Sequence, residues 1–194
     1  MVMRRVLLCI FALLLSSQIL AQTKTNSDKQ QYSAPDGSRA VVVPVGKEKG
    51  AETAESRVEI YSHANQRLCT LDYSSSDSEH GDGVAKAAWT PDGKYFVFSL
   101  VNSGGHQPYH TPTMFFSRQE SQVCSLDDYL DEPIIGTPDF KLTAPNSITT
   151  WVYDAKSEVT LSLDSLPKRG KTKGAQHCLP CTHGVVHILG ERAQ

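Results

Sequence analysis

Two segments hold the side chains best suited to chemistry. The first is His177-Cys178-Leu179-Pro180-Cys181-Thr182-His183, with His187 a little further on. Two thiols at this spacing, flanked by imidazoles, can ligate zinc or copper, cycle as a dithiol, or form disulfides. No second ligand pair stands at zinc-finger spacing. Thr182 separates Cys181 from His183, so the c-type haem signature is not met. A thioredoxin-like role needs a βαβ context and a helix N-terminus to lower a thiol pKa. Here a basic, glycine-containing stretch, Lys168 to Gly174, precedes the motif, and a strand-like run, Val185 to Leu189, follows it. The preferred reading of Cys69, Cys124, Cys178 and Cys181 is therefore disulfide bonding. Cys178 and Cys181 pair with each other or with Cys69 and Cys124, and three connectivities are open. Metal ligation and free, redox-active thiols are the rivals.

The second segment is the loop 101–113 (VNSGGHQPYHTPT), whose His106, Tyr109 and His110 are the candidate binding residues. A sister loop, 45–57, is charged and small. Asp77-Ser78-Glu79-His80-Gly81-Asp82-Gly83 is rich in oxygen ligands but lacks the spacing of an EF-hand loop, and reads as a solvated linker. Asp127, Asp128, Asp131 and Glu132 read as a solvated turn, and Lys168, Arg169, Lys171 and Lys173 as a solvated basic linker. There is no Gly-x-Ser-x-Gly elbow, no His-Glu-x-x-His, no phosphate-binding glycine loop and no dinucleotide fingerprint. No catalytic residue, metal site or cofactor is assigned, and the chain reads as a non-enzyme.

The elements that must position these residues begin after a leader. Arg4 and Arg5 precede an unbroken apolar run, Val6 to Leu15. Ser16, Ser17 and Gln18 follow, and Ala21 offers a small residue for cleavage before Gln22. That order is a secretory signal peptide over 1–21. The run is too short to span about 30 Å of hydrocarbon comfortably, so no stable membrane insertion is expected after cleavage. Cleavage removes Cys9 and leaves four cysteines, an even number suited to an oxidising compartment. The expected address is periplasmic or secreted. The 194 residues carry 39% hydrophobic and 21% charged side chains with a net charge of −2. That balance fits one folded domain and excludes the broad basic surface of a dedicated nucleic-acid binder.

After a polar leader, 22–31, one pattern recurs. Pro35-Asp36-Gly37 is followed by Ala40-Val41-Val42-Val43, and Pro91-Asp92-Gly93 by Tyr95-Phe96-Val97-Phe98. Pro138-Asp139 appears as a third marker, with Phe140 replacing the glycine. Proline presets φ, aspartate closes the turn and glycine accepts positive φ, so each marker reads as a turn feeding a strand. Val58-Glu59-Ile60-Tyr61 stands at the same offset from Pro35 as Met114-Phe115-Phe116 does from Pro91. Cys69 and Cys124 also follow the same two prolines at matching offsets, to within a single position. The units run over about 32–73, 84–130 and 133–166, followed by a linker and Cys/His-containing tail, 167–194. In the third unit, Ile148 to Tyr153 and Val159 to Leu163 read as strands joined by a turn. Cys69 shares a strand face with Leu71, and Cys124 with Leu126, the parity of core-facing positions.

The stretch Ala88-Trp89-Thr90-Pro91-Asp92-Gly93-Lys94-Tyr95-Phe96-Val97-Phe98 resembles the W-S-P-D-G-K core of the WD-like repeats of TolB-type β-propellers. Ala34-Pro35-Asp36-Gly37 matches less fully, with Ser33 where the second unit has Trp89. The resemblance implies four-stranded blades around an axis and a role in binding macromolecules, and no shared catalytic residue. Three units are fewer than a closed propeller uses. The expectation is an all-β fold of antiparallel propeller-like blades, arranged as an open or incomplete propeller or a curled sheet sandwich, with self-association as one way to complete the ring. The expected function is an exported binding or scaffold protein of the cell envelope with a protein or other envelope macromolecule as partner. The alternative is a metal-binding or thiol-redox envelope protein using residues 177–187.

Overall fold

Runs of β-branched and aromatic residues, cut by proline, glycine and asparagine turns, fold as strands throughout. The computed structural model describes residues 29–45, 54–78, 80–104, 110–130, 135–153, 155–166, 178–181 and 185–187. In chain order the strands are β1 (Gln30–Ser33), β2 (Arg39–Val45), β3 (Glu55–Tyr61), β4 (Arg67–Asp72), β5 (Asp82–Trp89), β6 (Tyr95–Asn102) and β7 (Thr113–Ser117). They continue with β8 (Gln122–Ser125), β9 (Ile135–Thr143), β10 (Ser147–Val152), β11 (Ser157–Ser162), β12 (Cys178–Pro180) and β13 (Val185–His187). Among the described residues there is no α-helix, and no helix long and apolar enough to cross a membrane.

The strands form three sheets. Sheet 1 is ordered β1-β2-β3-β4-β13, sheet 2 β12-β8-β7-β6-β5 and sheet 3 β11-β10-β9. Every pairing is antiparallel except β13 on β4. The fold is thus all-β and open. Strand β1 starts at Gln30, so two residues assigned from sequence to the polar leader belong to the first sheet.

Sheet 2 lies between the other two, and its sequence shows why. Strand period is two, so a strand buried on one face alternates, while a strand buried on both reads as continuously apolar. In β6, Phe96, Phe98 and Leu100 pack toward sheet 1, against Ala40, Val42, Val58, Ile60 and Leu71. Val97 packs toward sheet 3, against Ile135, Phe140 and Ile148. Strand β7 divides likewise, with Met114 and Phe116 on one side and Phe115 on the other. Phe96 and Phe98 are fully buried, with ring centroids 5.7 Å apart. Trp89 is only partly buried. It closes the rim of the first core, with its ring 5.2 Å from Phe96 and its indole N–H donating to the Tyr32 carbonyl at 3.0 Å.

The turns that lead into β2 and β6 are built alike. Gly37 and Gly93 adopt φ of +84° and +69°, which costs a residue without Cβ little. Asp36 Oδ1 accepts from the Ser38 N–H, and Asp92 Oδ1 from the Lys94 N–H. The third marker behaves differently. Pro138-Asp139 lies inside β9, not in a turn, which corrects the sequence expectation. The corresponding turn is Ala144-Pro145-Asn146, between β9 and β10. Asparagine takes the aspartate's place there, and no glycine is needed.

The three turns meet in one column. Arg118 bridges Asp36 (2.5 Å) and the Gly93 carbonyl (2.9 Å). The Asp92 N–H donates to the Pro145 carbonyl, and the buried Asn146 amide donates to Asp92 (2.8 Å) and Asp164 (2.9 Å). Asp164 also accepts from Lys94 and from the Tyr95 hydroxyl. Hydrogen bonds from Asn146, Lys94 and Tyr95 hold the Asp164 carboxyl below its ordinary pKa. Burial pushes Asp92 upward, but hydrogen bonds from Thr90, the Lys94 N–H and Asn146 bring it below the ordinary value. Burial and the Asp164 hydrogen bond raise the Tyr95 hydroxyl well above its usual range.

The C-terminal segment clasps two sheets. Cys178 lies opposite Cys124 in the β12–β8 ladder and is bonded to it, with Cα atoms 4.1 Å apart. Cys181 is bonded to Cys69 on β4, Cα to Cα 5.2 Å. Strand β13 then runs parallel along β4. Equivalent cysteines of units one and two do not meet, because they lie on successive sheets. Cys69 faces the first core and Cys124 the second, and each takes a partner from 178–181.

Candidate binding groove

The sequence-selected residues divide. His106 and Tyr109 lie outside the described residues, as do His177, His183 and the basic run 168–173. His110 stands at the foot of the β6–β7 loop, 31% exposed, with Nε2 3.5 Å from Asp127 Oδ2. That is long for a hydrogen bond. Asp127 instead accepts from the Ile135 N–H at 3.0 Å, so part of the acidic cluster read as a solvated turn anchors the start of β9. Cys178 and Cys181 are both bonded, so a metal or dithiol chemistry at this segment would first require their reduction. Two disulfides are the product of an oxidising, non-cytoplasmic environment.

The stretch 77–83 is not merely a linker. Its Gly81 closes, with Ser75 and Ser103, on a buried carboxylate, Glu55, 2% exposed. Glu55 accepts from the Ser75 N–H (2.7 Å), the Ser75 hydroxyl (2.6 Å), the Gly81 N–H (2.7 Å) and the Ser103 hydroxyl (3.1 Å). Four donors offset the cost of removing the carboxylate from water. Gly81 is required by close approach, since a Cβ there would stand 2.5 Å from the Tyr73 carbonyl and collide with Glu55. Ser103 follows β6 and Glu55 opens β3, so the end of β6 and the start of β3 meet at this carboxylate. Among the described residues no three His, Cys, Asp or Glu side chains are grouped to hold a metal.

The residues best placed to bind something were not singled out by sequence. They arise from two defects in neighbouring strands. In β5 the pairing steps from Val84↔Leu100 to Lys86↔Ser99, leaving Ala85 as a bulge. Val84 packs toward sheet 1 together with Ala87 and Trp89, and the bulge turns Lys86 to the sheet 3 side, shared with Ala88. In β9 the pairing jumps from Phe140↔Thr150 to Ile135↔Val152. Residues 136–139 therefore stand opposite Trp151 alone. Gly136 lets this bulge approach Tyr153, because a Cβ there would be 2.9 Å from the Tyr153 Cβ.

The two bulges converge. Lys86 Nζ donates to Asp139 Oδ1 at 3.1 Å and sits 5.1 Å from the Phe140 ring centroid. Around them opens a groove of about 590 Å³, lined by Lys86, Thr137, Asp139, Phe140, Lys141, Thr149, Thr150, Trp151 and Glu158. Phe140 and Thr150 are buried and form its floor, while Trp151 is 39% exposed. Lys141 and Glu158 lie 3.9 Å apart, and the Thr149 and Thr160 hydroxyls are 2.8 Å apart. The Lys86 and Asp139 side chains are 40% and 83% exposed. An ion pair so open to water contributes about 0–1 kcal/mol. Bulges of this kind are characteristic of places where a side chain must be re-aimed, and fold stability gains little from these two. The arrangement can bind: it offers an indole plate, two carboxylates, two ammonium groups and hydroxyls in a volume typical of ligand clefts.

One sequence signal could have pointed here, although Pro138 read as a turn marker. A proline within a strand marks an edge or a bulge, and Pro138 does so. Ser147–Tyr153 can alternate in either parity, and the structure buries Ile148, Thr150 and Val152, leaving Trp151 and Tyr153 outside. Compared with known proteins, the chain matches no family model, no curated protein and no solved structure.

Proposed function

We propose that this chain is an exported, non-catalytic binding scaffold of the cell envelope, built from propeller-like blades, whose ligand docks on the groove beside Trp151. The observation that carries the reading is the convergence of the β5 and β9 bulges on an exposed, charge-lined groove. The rest of the molecule supports it as scaffold. Two buried cores, a column of interlocked turns and two disulfides hold the sheet stack that bears the groove. Periplasmic or secreted localisation follows from the leader pattern over 1–21 and from cysteines suited to an oxidising compartment.

The test has two parts. Expressed with its own N-terminus in a bacterium with a periplasm, the chain is expected in the exported fraction, starting at Gln22 and four hydrogens lighter than its reduced mass. It is then expected to co-sediment with isolated cell-envelope material, and Trp151→Ala is expected to weaken that association at least tenfold. Retention in the cytoplasm with the leader uncleaved and all five thiols free would overturn the export reading. Wild-type and variant co-sedimenting equally would overturn the groove.

A further inference from the structure

We infer that the groove beside Trp151 takes an uncharged saccharide chain, a reading that rests on the proposed binding role and names its ligand. Three observations select this chemistry. The first is charge. The ionisable lining is Lys86, Lys141, Asp139 and Glu158, two of each sign, so the groove sums to zero. A polyanion such as a nucleic acid or an acidic lipid surface needs a cationic field, and gains none here.

The second is the strand edge. An extended peptide most readily adds to a sheet as one more strand, through an unbroken row of backbone groups. Strand β9 is an edge strand of sheet 3, and its bulge over 136–139, with Pro138 lacking an N–H, breaks that row beside the groove. Such an edge refuses strand addition.

The third is the plate. Trp151 stands outward on β10 with Thr149 beside it and lines the groove, and Tyr153, the other exposed large hydrophobic among the described residues, follows just past the strand. A pyranose ring has one apolar C–H face, which stacks on an indole, and equatorial hydroxyls that need donors and acceptors at its rim. Carboxylates 139 and 158 accept, ammonium groups 86 and 141 donate, and the threonine hydroxyls do either. The Lys86–Asp139 and Lys141–Glu158 contacts are exposed, so ligand hydroxyls can exchange into them at little cost. The groove is open along the sheet face, which suits a segment of chain more than a single enclosed ring.

The experiment titrates the disulfide-intact protein with cellohexaose, chitohexaose, maltohexaose and mannohexaose, with a heparin hexasaccharide and an unstructured neutral decapeptide as rivals. Calorimetry gives the affinity. The emission of Trp89→Phe reports on the site, since the chain has two tryptophans and the remaining indole is then Trp151. At least one neutral hexasaccharide is expected to bind with a Kd between about 10 μM and 1 mM. Saturation should shift Trp151 emission, and binding should change less than about twofold between 50 and 300 mM salt, as expected where net charge is zero. Trp151→Ala should weaken binding at least tenfold and Trp151→Tyr by less. Lys86→Met and Asp139→Asn should each weaken it about three- to tenfold. Should Trp151→Ala not fold, the two polar variants and Trp151→Tyr keep the question answerable. Absence of binding to all four neutral sugars at 10 mM, with envelope co-sedimentation intact, would overturn the saccharide and leave the binding role standing. Preference for the heparin fragment or the peptide would overturn it too, as would sugar binding unaffected by any groove variant. Loss of envelope association in the wild type would overturn the wider reading instead.

Discussion

Sheets 2 and 3 pack face to face around one core and end in opposite states. Sheet 2 has both faces buried. Its outer edge is covered by β12 and it is bonded through Cys124 to Cys178. Sheet 3 has three strands, one buried face, a broken edge strand and two exposed aromatics beside it. Regularity follows from burial, and the register step of sheet 2, at Ala85, falls in its partly exposed edge strand β5. A strand packed on both faces cannot shift a residue without moving side chains from one core to the other. A strand with one free face can hold three extra residues, and those residues aim Asp139 at Lys86 and open the space beside Trp151. The difference teaches where to look for binding in this molecule: not where the pattern is strongest, but on the adjoining sheet, where it lapses against a rigid neighbour.

That contrast can be broken by measurement. Replacing both Cys69 and Cys181 by serine opens a closure of 112 residues and is expected to cost about 4–5 kcal/mol in urea unfolding under oxidising conditions. A loss below about 1 kcal/mol would mean that β12 and β13 hold without the clasp. Phe98→Ala, which empties the core between sheets 1 and 2, should cost about 3–5 kcal/mol. Trp89→Ala should cost less, about 2–3 kcal/mol, because the indole is partly exposed although its N–H bond to Tyr32 is lost.

The column of turns that joins the three sheets should respond to acid. Asp36, Asp92 and Asp164 have folded pKa values below those of the unfolded chain. Their contribution is therefore complete above the unfolded carboxylate value, about 3.9, and is lost as pH falls through the lower folded values. The urea midpoint should hold between pH 7 and 5 and drop below about pH 4. Asp164→Asn should lower stability at pH 7 by about 1 kcal/mol and flatten the acid limb. An unchanged limb would show that the turn column does not sense the charge. The smallest stability effect belongs to Trp151→Ala, under about 1 kcal/mol, since the side chain is exposed. A loss comparable to that of Phe98→Ala would make Trp151 a core residue and abolish the contrast.

The sequence made much of sheet 2 legible. Tyr95 to Asn102, apolar on both parities but for Ser99 and the terminal Asn102, has the pattern of a doubly buried strand, and the Pro91-Asp92-Gly93 turn sets where it begins. The parity of Cys69 and Cys124 also read correctly as core-facing. Sheet 3 was legible as strands but not as a site. Pro138-Asp139 imitates the turn marker, while the turn itself, Ala144-Pro145-Asn146, lacks the glycine that made the other two conspicuous. Either face of β10 could have been the buried one, because Ile148 and Val152 on one parity compete with the bulkier Trp151 and Tyr153 on the other. Neither Lys86 nor Asp139 carries a local signal, because their meeting depends on two bulges far apart in the chain.

Local chemistry therefore determined the all-β class, the two proline-aspartate-glycine turns and the faces of the central strands, because strand period and turn dihedrals act within a few residues. Only the tertiary structure decided which cysteines pair, which face of sheet 3 meets solvent and where the groove opens. Those outcomes depend on which sheets pack together and on the register of strands far apart in sequence, and a spacing along the chain carries neither.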